Sequence, residues 1–278
     1  MIEHYKAMTV AGSDSSGGAG MQADLKTFQE LGVYGMTALT SIVTMDPFHN
    51  WAHSVTTLET DLLRKQLDTI VAGIGIDAMK TGMLGSPDII RTVSAEIKKH
   101  HLKNVVIDPV MVCKGAEEEL QPELQPENTA AIRESLIPKA LITTPNLYEA
   151  AKLAGTSWIT NIDQMKEAAA RIVALGARYA LVKGGSRLPD TDQAIDVLYD
   201  GKSFEIIASK KINTPNIHGA GCTYAAAITA ELAKGKSVPN AVKVAKAFVT
   251  AGIQESFSLN EYTGPTDHSA YKRQLIGR

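Results

Sequence analysis

The 278-residue chain predicts an α/β fold built on a mainly parallel sheet. Short apolar runs rich in β-formers alternate with helical patterns along the chain, the signature of successive βαβ units. A hydrophobic share of 44% with 21% charged residues suffices to bury a full core, which excludes disorder and a small disulfide scaffold. Finally, Asp200-Gly201 sits between two short strand patterns as a hairpin turn, so one edge of the sheet is expected to be antiparallel.

In chain order, strands are expected at Ala7 to Ala11, Thr37 to Thr44, Ala78 to Thr81, Asn104 to Val110, Ala140 to Thr144 and Tyr179 to Lys183, then the hairpin pair Ala194 to Tyr199 and Ser203 to Ala208. Apolar residues three and four apart place helices between them: Met21, Leu25, Phe28 and Leu31; Leu62, Leu63, Leu67 and Ile70; Met165, Ala169, Ile172 and Leu175. Two helices, Thr223 to Ala233 and Pro239 to Ser256, follow. No composition break divides the sequence, so one domain spanning residues 1 to 278 is expected.

Charge and cysteine usage narrow the class. With 28 Lys+Arg against 30 Asp+Glu the formal charge is -2, giving no electrostatic reason to expect nucleic acid or an anionic membrane surface. Leu31 to Met45 is shorter than the ~20 residues a membrane span needs, and Ile212 to Ala230 is interrupted by Asn213, Pro215, Asn216 and His218. Met1 to Lys6 lacks the order of a signal peptide, and a cytoplasmic, reducing location fits Cys113 and Cys222 as thiols.

Three segments carry chemistry. Ala11 to Gly20, AGSDSSGGAG, lies between a strand and a helix; its small residues suit either a tight turn or a ligand cradle. It is neither a dinucleotide fingerprint, since Ala23 stands where the third glycine belongs, nor a Walker loop, since Gly235-Lys236-Ser237 has Ala230 at the first glycine position. Asn213 to Thr223, NTPNIHGAGCT, precedes an alanine-rich helix. There Gly219 and Gly221 let backbone amides of Gly219, Ala220 and Gly221 face one concavity, an anion hole suited to a phosphoryl group. Cys222 sits at that helix start, where a thiol pKa is expected to fall below about 8.5. The third segment, Lys114 to Asn128, is acidic with two prolines, and reads equally as a solvated loop or as a lid spanning about 111 to 128. His49 and His53 have metal-pair spacing, but no Glu follows His49 and Asp46-Pro47 opposes a helix, so zinc is not expected. His100-His101 reads as a solvated helix end.

Taken together, AGSDSSGGAGMQADLKTF (11 to 28), MKTGMLG (79 to 85), DPVMV (108 to 112), TPNLYEA (144 to 150), VKGG (182 to 185) and HGAGCT (218 to 223) closely resemble the ribokinase-like superfamily. The resemblance is to its branch of vitamin kinases acting on hydroxymethylpyrimidine and on pyridoxal, and runs end to end. It implies a three-layer ribokinase-like fold, ATP and Mg²⁺, and a homodimer. By this resemblance Cys222 is the catalytic base. Asn146, Glu149 and Asp108 lie on the phosphate and metal side, Asp108 and Glu149 being the metal-side carboxylates, although either acid also reads as a cap or a surface charge. Lys183, Gly184 and Gly185 contact the nucleotide, with Thr214 and His218 as further contacts; His218 reads equally as a packed histidine.

Gly12, Asp24, Met45 and Val110 correspond to positions that hold the heteroaromatic ring, with His53 and Trp51 as pocket-lining candidates; a helix-surface role is the alternative for Asp24. Dedicated pyrimidine kinases tend to carry Gln or Glu where Met45 stands, and a thioether packs on an aromatic ring without reading an amino group. Cys113 matches the second thiol of the dual-cysteine pyridoxal kinases, or is an ordinary cysteine at a strand end. The expected reaction is ATP-dependent phosphorylation of the 5'-hydroxymethyl group of pyridoxal, pyridoxine or pyridoxamine. The alternative is hydroxymethylpyrimidine or its phosphate, as sole or additional substrate. The intact Gly219, Gly221 and Cys222 argue against a non-catalytic B6-binding protein.

Overall fold

Near-continuous apolar runs such as Ala7 to Ala11 and Val105 to Ile107 are buried on both faces, which requires a helical layer on each side of the sheet and gives a three-layer architecture. The computed structural model describes residues 4–111, 126–189 and 191–277. Its strands are β1 (Lys6–Asp14), β2 (Tyr34–Asp46), β3 (Ala52–Thr57), β4 (Ala78–Thr81), β5 (Val105–Ile107), β6 (Ile142–Thr143), β7 (Tyr179–Gly185), β8 (Gln193–Tyr199) and β9 (Phe204–Lys210). They form one sheet in the order β3-β2-β1-β4-β5-β6-β7-β8-β9. The run from β2 to β7 is parallel, while β3 and the β8–β9 hairpin are antiparallel. Both edges are therefore antiparallel, where the sequence announced one. β3 was missed because AHSVTT is half-buried only at His53 and has no apolar face.

The helices are α1 (Gly20–Glu30), α2 (Thr60–Leu67), α3 (Pro87–Lys99), α4 (Pro126–Ala131), α5 (Leu147–Ala154), α6 (Ile162–Ala174), α7 (Ala220–Ala233), α8 (Val238–Gln254) and α9 (Ala270–Leu275). One core joins Met8, Val10 and Ile107 to residues of α2, α3, α5 and α6; the other joins Ala7, Val106 and Leu181 to α1, α7 and α8. Neighbouring strand residues thus serve opposite faces. Ser86 caps α3 by accepting from the Ile89 amide, with Pro87 at the first helical position. Every residue of α7 from Thr223 to Ala233 is buried, as expected for a helix apolar on all sides.

Several strands are shorter than anticipated: Asn104 to Val110 contributes only Val105–Ile107, and Ala140 to Thr144 only Ile142–Thr143. The residues released beyond the strand ends, Asp108 and Val110 among them, serve the cavity described next. The lid expected over about 111 to 128 lies largely outside the described residues, as does Cys113.

Candidate active site

In parallel sheets ligands bind beyond the carboxyl ends of the strands, and here the ends of β1, β4, β5, β6 and β7 deliver Asp14, Gly82, Asp108, Asn146 and Gly185 to one cavity of about 580 Å³. Gly12, Met45, His53, Val110, Asp108, Asn146, Glu149, Lys183, Gly184, Gly185, His218, Gly219, Ala220, Gly221 and Cys222 all line it. Fifteen positions chosen from sequence thus converge on one space.

At one end, Gly219 precedes α7 in the left-handed conformation (φ 76°), and a methyl group there would overlap the Gly18 carbonyl oxygen. Only glycine lets the two glycine-rich loops close on each other. A side-chain clasp completes the closure: His218 Nε2 lies 2.7 Å from Asp14 Oδ2. Burial alone would raise the Asp14 pKa, but hydrogen bonds from His218 and Ser16 hold it at about 2. His218 is thus a packed histidine that also borders the cavity. Helix geometry leaves the Gly221 and Cys222 amides without intrahelical acceptors. The Ala220 amide, expected to face the anion, instead donates to Ile217 O at 3.1 Å.

Cys222 is half-buried on the cavity wall. The expected depression of its pKa is reversed: burial pushes the thiol up to about 11, against the pull of Lys80. A helix N-terminus was a local argument, and desolvation outweighs it.

Another part of the cavity gathers charge. Asp108 Oδ1 accepts from Thr144 Oγ1 at 2.9 Å and from Lys183 Nζ at 3.1 Å. Asn146 and Glu149 form a reciprocal cap on α5: Asn146 Oδ1 accepts the Glu149 amide at 2.9 Å and Glu149 Oε2 accepts the Asn146 amide at 2.8 Å. Both readings of Glu149 therefore hold, a cap and a cavity carboxylate. Burial, together with the Asp108 charge, lifts Glu149 to about 7 despite Lys183. Burial opposes the charge of Lys183, yet Asp108 and Glu149 raise its pKa. Two nearby carboxylates, one held with difficulty in its charged form, are a donor set suited to a hard divalent cation.

On the opposite side Met45 and His53 are cross-strand partners on β2 and β3, with Val43, Gly12 and Val110 completing an apolar wall. His53 is held below its ordinary pKa by burial and by His218. Trp51 does not join it; its ring stacks on Tyr262 at 6.0 Å. His49 Nδ1 pairs with Asp46 Oδ2 at 2.7 Å.

Two expected contacts fall outside the cavity lining. Asp24 is completely buried, bonded to Lys80 Nζ at 2.8 Å and Thr9 Oγ1 at 2.6 Å, so it lies neither on the cavity wall nor on the surface. Thr214 Oγ1 lies 3.4 Å from Ser256 Oγ and accepts the Asn216 amide, and is not part of the cavity wall. Conversely, Asp196 was overlooked. It borders the cavity and holds Lys246 Nζ at 2.7 Å and Tyr224 Oη at 3.1 Å. An acid inside the apolar strand QAIDVLY was the available signal.

A parallel sheet whose strand ends gather a helix N-terminus, a paired lysine and two carboxylates around one cavity defines a phosphotransferase acting on a small molecule. The chain belongs to the phosphomethylpyrimidine kinase family, whose model matches residues 14–267. It is 58% identical over 268 residues to a pyridoxine kinase of Bacillus subtilis (strain 168), covering 96% of this chain and 97% of that one. A hydroxymethylpyrimidine/phosphomethylpyrimidine kinase of the same organism is 42% identical over 272 residues, covering 98% and 97%. The structure of the pyridoxal kinase from Staphylococcus aureus in complex with AMP-PCP and pyridoxal superposes with a TM-score of 0.91 at 47% identity, covering 98% of this chain and 96% of that one.

Proposed function

We propose that this kinase transfers the γ-phosphoryl group of ATP to the 5'-hydroxymethyl group of pyridoxal, pyridoxine and pyridoxamine. The observation that carries the substrate choice is the Met45–His53 pair on the wall of the cavity that Cys222 also lines. A thioether packs on a pyridine ring, whereas a pyrimidine amino group would meet no acceptor from Met45. The greater identity to the pyridoxine kinase than to the pyrimidine kinase supports the same choice.

In this reading the Gly221 and Cys222 amides and Lys183 receive the negative charge of the transferring phosphoryl group. Asp108 and Glu149 would hold Mg²⁺, which supplies charge neutralisation at the phosphates. Cys222, as thiolate, takes the proton from the substrate hydroxyl. The freed oxygen electron pair forms the bond to the γ-phosphorus, and the bond to the bridging oxygen breaks with its electrons going to ADP. With the thiol at about 11, roughly one molecule in ten thousand holds the thiolate at pH 7 before substrate enters. That form is a strong base once made. Pyridoxal offers the same sulfur an aldehyde: the S–C bond forms, the thiol proton passes to the carbonyl oxygen, and a hemithioacetal results, with Cys113 helping to polarise the aldehyde; the sulfur serves as base again once the adduct has reopened to aldehyde and thiol.

The functional unit is one kinase domain, working in the cytoplasm as a homodimer. Among the described residues no helix is long and apolar enough to cross a membrane. Replacing Cys222→Asp should preserve part of the pyridoxine turnover while abolishing the change in pyridoxal absorbance that reports the adduct. An adduct that forms unchanged in the variant overturns the role of Cys222.

A further inference from the structure

Beneath the cavity lies a buried ion pair that the mechanism above does not use. Lys80 on β4 and Asp24 on α1 both have fully buried side chains and meet at 2.8 Å. Buried pairs of this kind are poor stabilisers, because desolvation of both ions consumes most of their attraction. This one is also incompletely satisfied. Among the described residues Asp24 is the only acceptor for the Lys80 ammonium, and Asp24 Oδ1 has no partner.

Its placement is the informative feature. A methyl group on Gly82, a residue of the cavity lining, would lie 3.3 Å from Lys80 Nζ. The ammonium is therefore separated from the cavity by one glycine, and Lys80 shares with Ala78 the face of β4 that packs on α7, whose first turn brings Cys222 to the same cavity. We infer that Lys80 is a positioning residue for phosphoryl transfer: its ammonium, anchored by Asp24, is the counter-charge against which Cys222 holds the thiolate form. This rests on Cys222 acting as the base.

The charges around the thiol agree with that geometry. Burial is the main force raising it; Lys80 lowers it most, Asp24 and Asp108 raise it, and a hydrogen bond from the Gly20 amide lowers it. Lys183 on β7 also feels the Cys222 charge. The two members of the pair thus act on the thiol with opposite signs.

Opposite signs give a test that a scaffold role does not reproduce. In a Cys113→Ser background, iodoacetamide alkylation of Cys222 is followed against pH on the substrate-free protein, alongside the pH profile of kcat/KM. Lys80→Met should move the alkylation midpoint up by a unit or more and lower kcat/KM at pH 7 at least tenfold. Asp24→Asn should move the midpoint down. The charge-free double variant Lys80→Met with Asp24→Asn should lie above wild type, because Lys80 is the stronger influence; it also provides the readout if a single variant does not fold. Midpoints that stay fixed, or that shift in the same direction for both single variants, overturn the inference. Because alkylation needs no vitamer, a wrong substrate assignment leaves this result standing, whereas normal turnover with Cys222 replaced by Ala would remove the role it supports.

Discussion

Gly219→Ala tests the closure of the two glycine-rich loops, and Gly235→Ala is its internal control. Both glycines have left-handed backbones, φ 76° and 80°, but an added methyl at Gly235 meets nothing within 4 Å, whereas at Gly219 it overlaps the Gly18 carbonyl. The conformational cost alone is about 1–2 kcal/mol, which applies to both. Displacing the Gly18 loop adds about 1–3 kcal/mol at Gly219 only, the range for overpacked sites. Gly219→Ala is thus expected to lose about 2–5 kcal/mol, against about 1–2 for Gly235→Ala. At roughly 2–3 °C per kcal/mol for a chain of this size, the melting temperature should fall about 4–15 °C in the first and about 2–6 °C in the second. Activity should separate them further. Shifting the loop misaims the Gly221 and Cys222 amides, and loss of such a donor lowers kcat by about 10²–10³, while Gly235→Ala should keep wild-type kcat. Thermal unfolding and steady-state kinetics on both proteins settle the matter. Equal melting shifts with unchanged kcat in Gly219→Ala would refute the close approach of the loops.

Met45→Gln should shift the ratio of kcat/KM for hydroxymethylpyrimidine over pyridoxine upward about tenfold, since a gained neutral hydrogen bond of about 0.5–1.5 kcal/mol accompanies a loss of ring packing; competition assays with both substrates read this ratio. His268 is buried, with Nε2 3.0 Å from Thr223 Oγ1 at the start of α7, and burial together with Lys26 depresses its pKa from 6.5 to about 4. The folded state therefore resists protonation that the unfolded chain accepts. Stability from this group is full above pH 6.5 and falls by about 3 kcal/mol as the pH drops to 4. Urea titrations should show that part of the slope missing in His268→Gln.

Contiguous motifs made much of the site legible. Gly219, Gly221 and Cys222 lie within HGAGCT, and Asn146 and Glu149 within TPNLYEA, where the capping spacing is itself visible. What the sequence hid depended on distance or desolvation. Asp24 read as a ring contact or a helix-surface acid because its partner Lys80 is 56 positions away in the sequence, on β4. Cys222 looked acidified because the helix terminus is local information, whereas its burial and the charges of Lys80, Asp24 and Asp108 come from residues distant in the sequence. The Asp14–His218 clasp joins residues 204 positions apart. In the fold, the parallel core announced itself through short apolar runs alternating with helical patterns, and β3 escaped because an exposed edge strand has no such run.

The central claim is the identity of the acceptor. It is tested most directly by measuring ADP release with pyridoxal, pyridoxine and hydroxymethylpyrimidine phosphate side by side, at equal concentrations of MgATP. The account predicts efficient turnover of both B6 vitamers, with kcat/KM for each above that for the pyrimidine phosphate. Efficient turnover of the pyrimidine phosphate with none of pyridoxal would contradict it.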